Sequence, residues 1–157
     1  MQNSSSLLVR QLCISSKGHI PLLLFLPDTT TPLGLRVLAL NDDAESVPAG
    51  SYRYLNLTPR TLIVSVNKSP YTIAPTADIL LPAIAENGDA TVAIGVNYEG
   101  KTRLLFSDIW GTSTRTRTLV LIYISSGPTS GFTVSRIIDY PNGWKPDPPK
   151  TPPAKGT

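Results

Sequence analysis

The segment RTLVLIYIS at positions 117–125 constrains the fold more than any other part of this chain. From Leu119 to Ile124 every side chain is apolar or aromatic, and Val120, Ile122 and Ile124 are β-branched. The turn-forming stretches GTSTRT and SGPTSG close it off on either side. A run this short, β-branched and bounded by turns reads as a strand. Successive side chains of a strand point to opposite faces, so this strand is apolar on both. It must be a central strand with both sides covered. In a two-layer sandwich, each strand keeps one face in the core and the other in water. Something has to cover the second face.

Three other segments raise the same demand. IPLLLFLP at 20–27 is apolar on both faces, and RVLAL at 36–40 nearly so. In SYRYLNL at 51–57, Tyr52 and Tyr54 make one face sticky while Leu55 and Leu57 make the other sticky too. The candidate covers are a Pro-rich tail with Trp144, the long loop 41–50, or another polypeptide. The expected cover is another polypeptide, most simply a second copy of this chain. An uncovered patch of that size would exceed what soluble monomers usually expose.

Helical periodicity is nearly absent. Strand-sized apolar segments recur instead at 7–14, 20–26, 35–40, 51–57, 61–67, 70–74, 77–81, 90–98, 101–109, 117–125 and 132–139. Between them lie SSKG, PDTTTPLG, NDDAESVPAG, NKSP and ENGD, and Asn87-Gly88 and Glu99-Gly100 are tight-turn signals because glycine takes positive φ without steric cost. In the hairpin ATVAIGVNYEGKTRLLFSDIW, Val92, Ile94, Val96 and Tyr98 are expected on one face. On its second strand Leu104, Phe106 and Trp110 are expected together, opposite Arg103, Leu105 and Ser107. Short antiparallel strands at this spacing predict an all-β, Ig-like sandwich of about 7–10 strands over 1–140, with strand 117–125 central. The tail 141–157 carries six of the fifteen prolines and reads as an extended segment.

Composition narrows the function classes. At 157 residues the chain can bury a real core without staples. Its net charge of +3 is modest, and its basic residues are scattered with no stripe, so nucleic-acid binding is not expected. The longest apolar run is far below the roughly 20 residues a spanning helix needs, and no export signal is legible. The lone Cys13 cannot form an internal disulfide, and the lone His19 cannot form a histidine metal cluster. Neither HExxH, GxSxG, paired CxxC nor a phosphate-binding glycine loop occurs. No cofactor is expected. Asp42, Asp43 and Glu45 form the only acidic cluster, a candidate calcium loop that lacks EF-hand spacing. An acid–base hydrolase could assemble a carboxylate pair from distant strands, such as Asp108 and Asp139. The sequons at Asn3, Asn56 and Asn67 read as chance occurrences.

The candidate interaction residues are Tyr52, Tyr54, Arg103, Trp110, Arg115, Arg117 and Trp144. Aromatic residues and arginines are the usual interface anchors. The stretch from Trp110 to Arg117 reads either as a recognition loop or as a hairpin turn whose arginines pair with carboxylates on neighbouring strands.

Three stretches, Gly50 to Asn56, Leu62 to Val66 and Arg117 to Ile124, resemble small exported bacterial Ig-like sandwich proteins of uncharacterised function. The resemblance implies an envelope, periplasmic or extracellular location and an accessory role, and it carries over no site residue. The expected function is therefore a non-catalytic structural or binding subunit that associates with itself or another protein through apolar strand faces. The alternative is a hydrolase or carbohydrate-binding module on the same scaffold.

Overall fold

A computed structural model of the chain describes residues 8–10, 21–82, 88–125, 131–141 and 143. Eleven strands make up the described residues: β1 (Leu8–Arg10), β2 (Pro21–Pro27), β3 (Leu35–Asn41), β4 (Tyr52–Asn56), β5 (Leu62–Val66), β6 (Ser69–Ile73), β7 (Asp78–Leu81), β8 (Asp89–Tyr98), β9 (Lys101–Gly111), β10 (Arg117–Ser125) and β11 (Gly131–Asp139). Each lies on or within two residues of an expected segment. The fold is an all-β sandwich, one strand richer than the upper expectation. Cys13, His19, Trp144 and the Pro-rich tail beyond Gly143 fall outside the described residues.

The strands form three sheets, ordered β1-β2-β3, β11-β10-β4-β7 and β6-β5-β8-β9. Every pairing is antiparallel except β10 with β4, which run parallel from Thr118↔Tyr52 to Ile122↔Asn56. The four-stranded sheet containing β4 and β10 is the middle layer. Tyr52, Tyr54, Val120 and Ile122 face one way and pack with Leu62, Val64, Val92, Ile94 and Trp110 of the third sheet. Leu55, Leu119 and Leu121 face the other way and pack with Leu24, Leu26 and Leu40 of the N-terminal sheet. Burying each such leucine contributes about 1.5–3 kcal/mol.

This corrects the expectation that another polypeptide covers the second faces of β4 and β10. The β2–β3 hairpin covers them from within the same chain. The physical reason is the alternation inside that hairpin, where Leu22↔Leu40 and Leu24↔Leu38 pair across it on the inner face. The outer face of the hairpin is also apolar. Phe25 is paired with Val37 and Leu23 with Ala39, and Leu35 and Val37 are 47% and 52% exposed.

Two hairpins turn through type I′ geometry, which needs positive φ at both central residues. Glu99 and Gly100 have φ of 51° and 75°, and Asn67 and Lys68 have 47° and 71°. A β-bulge corrects the expected facing of β9. The register shifts between Ile94↔Phe106 and Gly95↔Leu104, leaving Leu105 as the extra residue. Leu104 therefore points outward at 61% exposure, and both Leu105 and Phe106 pack against the core. Among the described residues no helix is long and apolar enough to cross a membrane.

Candidate functional site

Four of the expected interaction residues lie in the interior. Tyr52, Tyr54 and Trp110 are all buried. Trp110 stacks against Tyr52 at 6.4 Å and Tyr54 at 6.2 Å between ring centroids. Phe106 tilts against the same indole, and the Arg136 guanidinium sits 4.6 Å from its ring centroid. The indole Nε1 donates to the Asp108 carboxylate at 2.8 Å, and the Ile109 backbone N–H donates to the other oxygen. Reading these aromatics as surface anchors is therefore corrected. Trp110 reaches inward from an edge strand because its register partner Ala90 leaves room on the core face. The Tyr54 hydroxyl is buried with no hydrogen-bond partner among the described residues, and burial pushes its pKa well above the ordinary tyrosine value.

Arg117, the fourth, is a buried hub. Its Nε donates to Asp139 at 2.7 Å, Nη2 to the Asp42 carboxylate at 2.9 Å, and Nη1 to the Asp42 backbone carbonyl at 2.7 Å. These charge-assisted bonds tie β10 and β11 to the chain just beyond β3. Arg53 makes a parallel link from β4, donating to Asp78 at 2.7 Å and to the Asn41 carbonyl. A cavity of about 150 Å³ beside Arg117 is walled by Leu22, Val47, Leu119 and Ile137. Burial raises the pKa of Asp42 above its usual value and outweighs the Arg117 charge.

The calcium reading is corrected by the same geometry, because the Asp42 carboxylate is committed to Arg117. Asp43 sits in a local turn capped by Asn41, its backbone N–H donating to Asn41 Oδ1 at 3.0 Å. No group of three potential ligands including Glu45 assembles among the described residues. The example pair for a hydrolase is also engaged, Asp108 by Trp110 and Asp139 by Arg117. They belong to different clusters, one on the edge strand of the third sheet and one on the middle sheet.

Arg103 and Arg115 lie at the surface but not together. Arg115 belongs to the β9–β10 turn, where its backbone N–H donates to Ser113 Oγ at 3.2 Å. Arg103 lies on β9 beside the bulge, at the opposite end of the sandwich. There it lines an open bowl of about 530 Å³ together with Arg60, Tyr98, Leu105 and Phe132. Arg60 was missed in the sequence because nothing marks a single arginine in the loop TPR; its placement depends on Asn56. That side chain is fully buried, and its Nδ2 donates to the carbonyls of Arg60 at 2.8 Å, Ala74 at 3.0 Å and Ile73 at 3.1 Å. Its Oδ1 accepts from the Thr58 N–H and hydroxyl at 2.9 and 2.7 Å. A serine or threonine two residues after an asparagine is the sequon pattern, but here it serves an internal turn.

Comparison with protein-family models finds no match, and neither does comparison with curated proteins. The functional reading therefore rests on the geometry above.

Proposed function

We propose that this protein is a non-catalytic structural or binding subunit that pairs with a second copy of itself through the outer face of its N-terminal sheet. The observation that carries this reading is the layer order. With β4 and β10 covered internally, the apolar surplus moves to Leu23, Phe25, Leu35 and Val37. Leu33, 86% exposed in the β2–β3 turn, extends the same hairpin's apolar surface. A face shared by two identical sheets gives a self-complementary two-fold contact. A standard-sized interface buries roughly 800 Å² per partner, which is the area such a face has to supply. The engagement of Asp108 and Asp139 in structural bonds supports a non-catalytic role over the hydrolase alternative. A location outside the cytoplasm belongs to this reading through the resemblance to exported sandwich proteins.

The test is mass measurement by light scattering at micromolar concentration. A dimer is expected for the natural chain and a monomer for Val37→Lys with Leu35→Glu, with unchanged circular dichroism in both. A natural chain that is monomeric at every concentration measured would overturn the proposal.

A further inference from the structure

We infer that the open end of the sandwich, away from the face proposed for pairing, binds a small organic carboxylate with an apolar body. The bowl there lies between the middle and third sheets, and its volume of about 530 Å³ is in the range of small-molecule sites. Its walls are apolar. Leu62 and Val96 are buried core residues reaching it from below, and Leu105 and Phe132 flank it. At the rim, Ile124 and Tyr98 are 58% and 55% exposed, large side chains left open to solvent.

The two arginines at this mouth have no ion-pair partner among the described residues. Three other arginines are occupied: Arg53 by Asp78, Arg117 by Asp42 and Asp139, and Arg136 by the Trp110 ring. The guanidinium groups of Arg60 and Arg103 have neither an ion pair nor a hydrogen bond among the described residues. Lys101, the first residue of β9, adds positive charge next to Glu99 of the adjoining turn.

Both arginines are held at the mouth by backbone devices. The Arg60 carbonyl accepts from Asn56 Nδ2 at 2.8 Å and from the Thr58 hydroxyl at 3.1 Å, and the Arg60 N–H reaches the same hydroxyl at 3.3 Å. Arg103 is aimed by the bulge. It pairs with Val96, an inward-facing position, whereas its neighbour Leu104 pairs with Gly95 and points out. Bulges beside sites commonly re-aim a side chain in this way. Both arginines line the same apolar bowl, and a guanidinium fork of N–H donors can match a carboxylate bidentately. The walls then favour an anion whose remainder is hydrocarbon.

The probe is decanoate below its aggregation concentration, titrated by calorimetry and by methyl NMR of the full chain. Saturable one-to-one binding is expected, with shifts confined to the methyls of Leu62, Val96, Leu105 and Ile124. Arg60→Gln and Arg103→Gln should each weaken binding by about tenfold, the scale of losing a charge-assisted hydrogen bond. Both side chains are exposed, so the variants should keep the natural circular dichroism spectrum. Decanol, which lacks the charge, and acetate, which lacks the body, should bind at least about tenfold more weakly. The inference is overturned by decanol binding as tightly as decanoate. It is equally overturned by a double Arg60→Gln, Arg103→Gln variant of natural affinity, by shifts mapping to the N-terminal sheet, or by no saturation at millimolar decanoate.

Discussion

Tyr54 of β4 and Trp110 of β9 stack with ring planes 12° from parallel and centroids 6.2 Å apart, joining the middle sheet to the edge of the third. The stack anchors the larger core, but the Tyr54 hydroxyl enters it without a partner among the described residues. Burying an unpaired hydroxyl costs about 1–3 kcal/mol. Tyr54→Phe keeps the ring and removes that cost. We expect a variant as stable as the natural chain or up to about 1 kcal/mol more stable. Urea unfolding followed by near-ultraviolet circular dichroism measures this. A loss above about 1 kcal/mol would show that the hydroxyl is satisfied after all.

Asp42 yields a pH dependence opposite to the usual expectation for an ion-paired carboxylate. Its folded pKa is raised above the ordinary 3.8 by burial, so the folded state binds its proton more tightly than the unfolded state. The resulting stabilisation is complete below the unfolded pKa and is lost as pH rises through the folded value. The stability advantage of the natural chain over Asp42→Asn should therefore be largest near pH 3 and shrink towards pH 6. Parallel denaturant titrations of both proteins across that span measure it. An advantage that grows with pH would mean that the Arg117 charge dominates burial.

Removing Arg117 should be more damaging than removing either partner. Arg117→Ala leaves the Asp42 carboxylate part-buried without its cation and unties the end of β3 from β10. Breaking a buried pair from one side costs about 3–5 kcal/mol, and the 48% exposure of the Asp139 side chain places this case at the lower end. Thermal unfolding of Arg117→Ala beside Asp139→Asn tests the ranking. Equal losses would contradict it.

Gly95 is required by its surroundings rather than by its φ. A Cβ placed there would meet the Arg103 carbonyl oxygen at 2.8 Å and Thr102 Cγ2 at 3.0 Å. The first of these is backbone and yields only if the bulge moves. Gly95→Ala should destabilise by about 1–3 kcal/mol, and by shifting Arg103 it should also weaken decanoate binding. An unfolding midpoint equal to the natural chain would sink this prediction.

Most strand positions were legible because the turns are strongly marked. Glu99-Gly100 announces its hairpin, and the double-faced run from Leu119 to Ile124 announces a strand covered on both sides. Alternation reports that a face needs cover but not what provides it. The match between Leu119 or Leu121 and Leu24 depends on layer order, which no local pattern encodes. The tyrosines at 52 and 54 and Trp110 look like anchors in the sequence because aromatic character is visible there and burial at an edge strand is not. The bulge opposite Gly95 was hidden because one inserted residue leaves the apolar composition of β9 unchanged. Arg117 and Asp42 stand 75 positions apart, so their pairing had no sequence signature.

The parallel pairing of β10 with β4 also sets a schedule for assembly. β4 can pair with β7 as soon as that strand emerges, but its other edge must wait for a strand from near the end of the chain. Until then Leu55 has the β2–β3 hairpin on one side and lacks the Leu119 and Leu121 that complete its cluster. Long-range strand pairings have to overcome loop-closure entropy before they return any stabilisation, and they slow folding. A nascent chain that has not yet released residues 117–125 therefore holds an unpaired strand edge and half a core. Its exposure during synthesis is governed by the rate of elongation rather than by the stability of the finished sandwich.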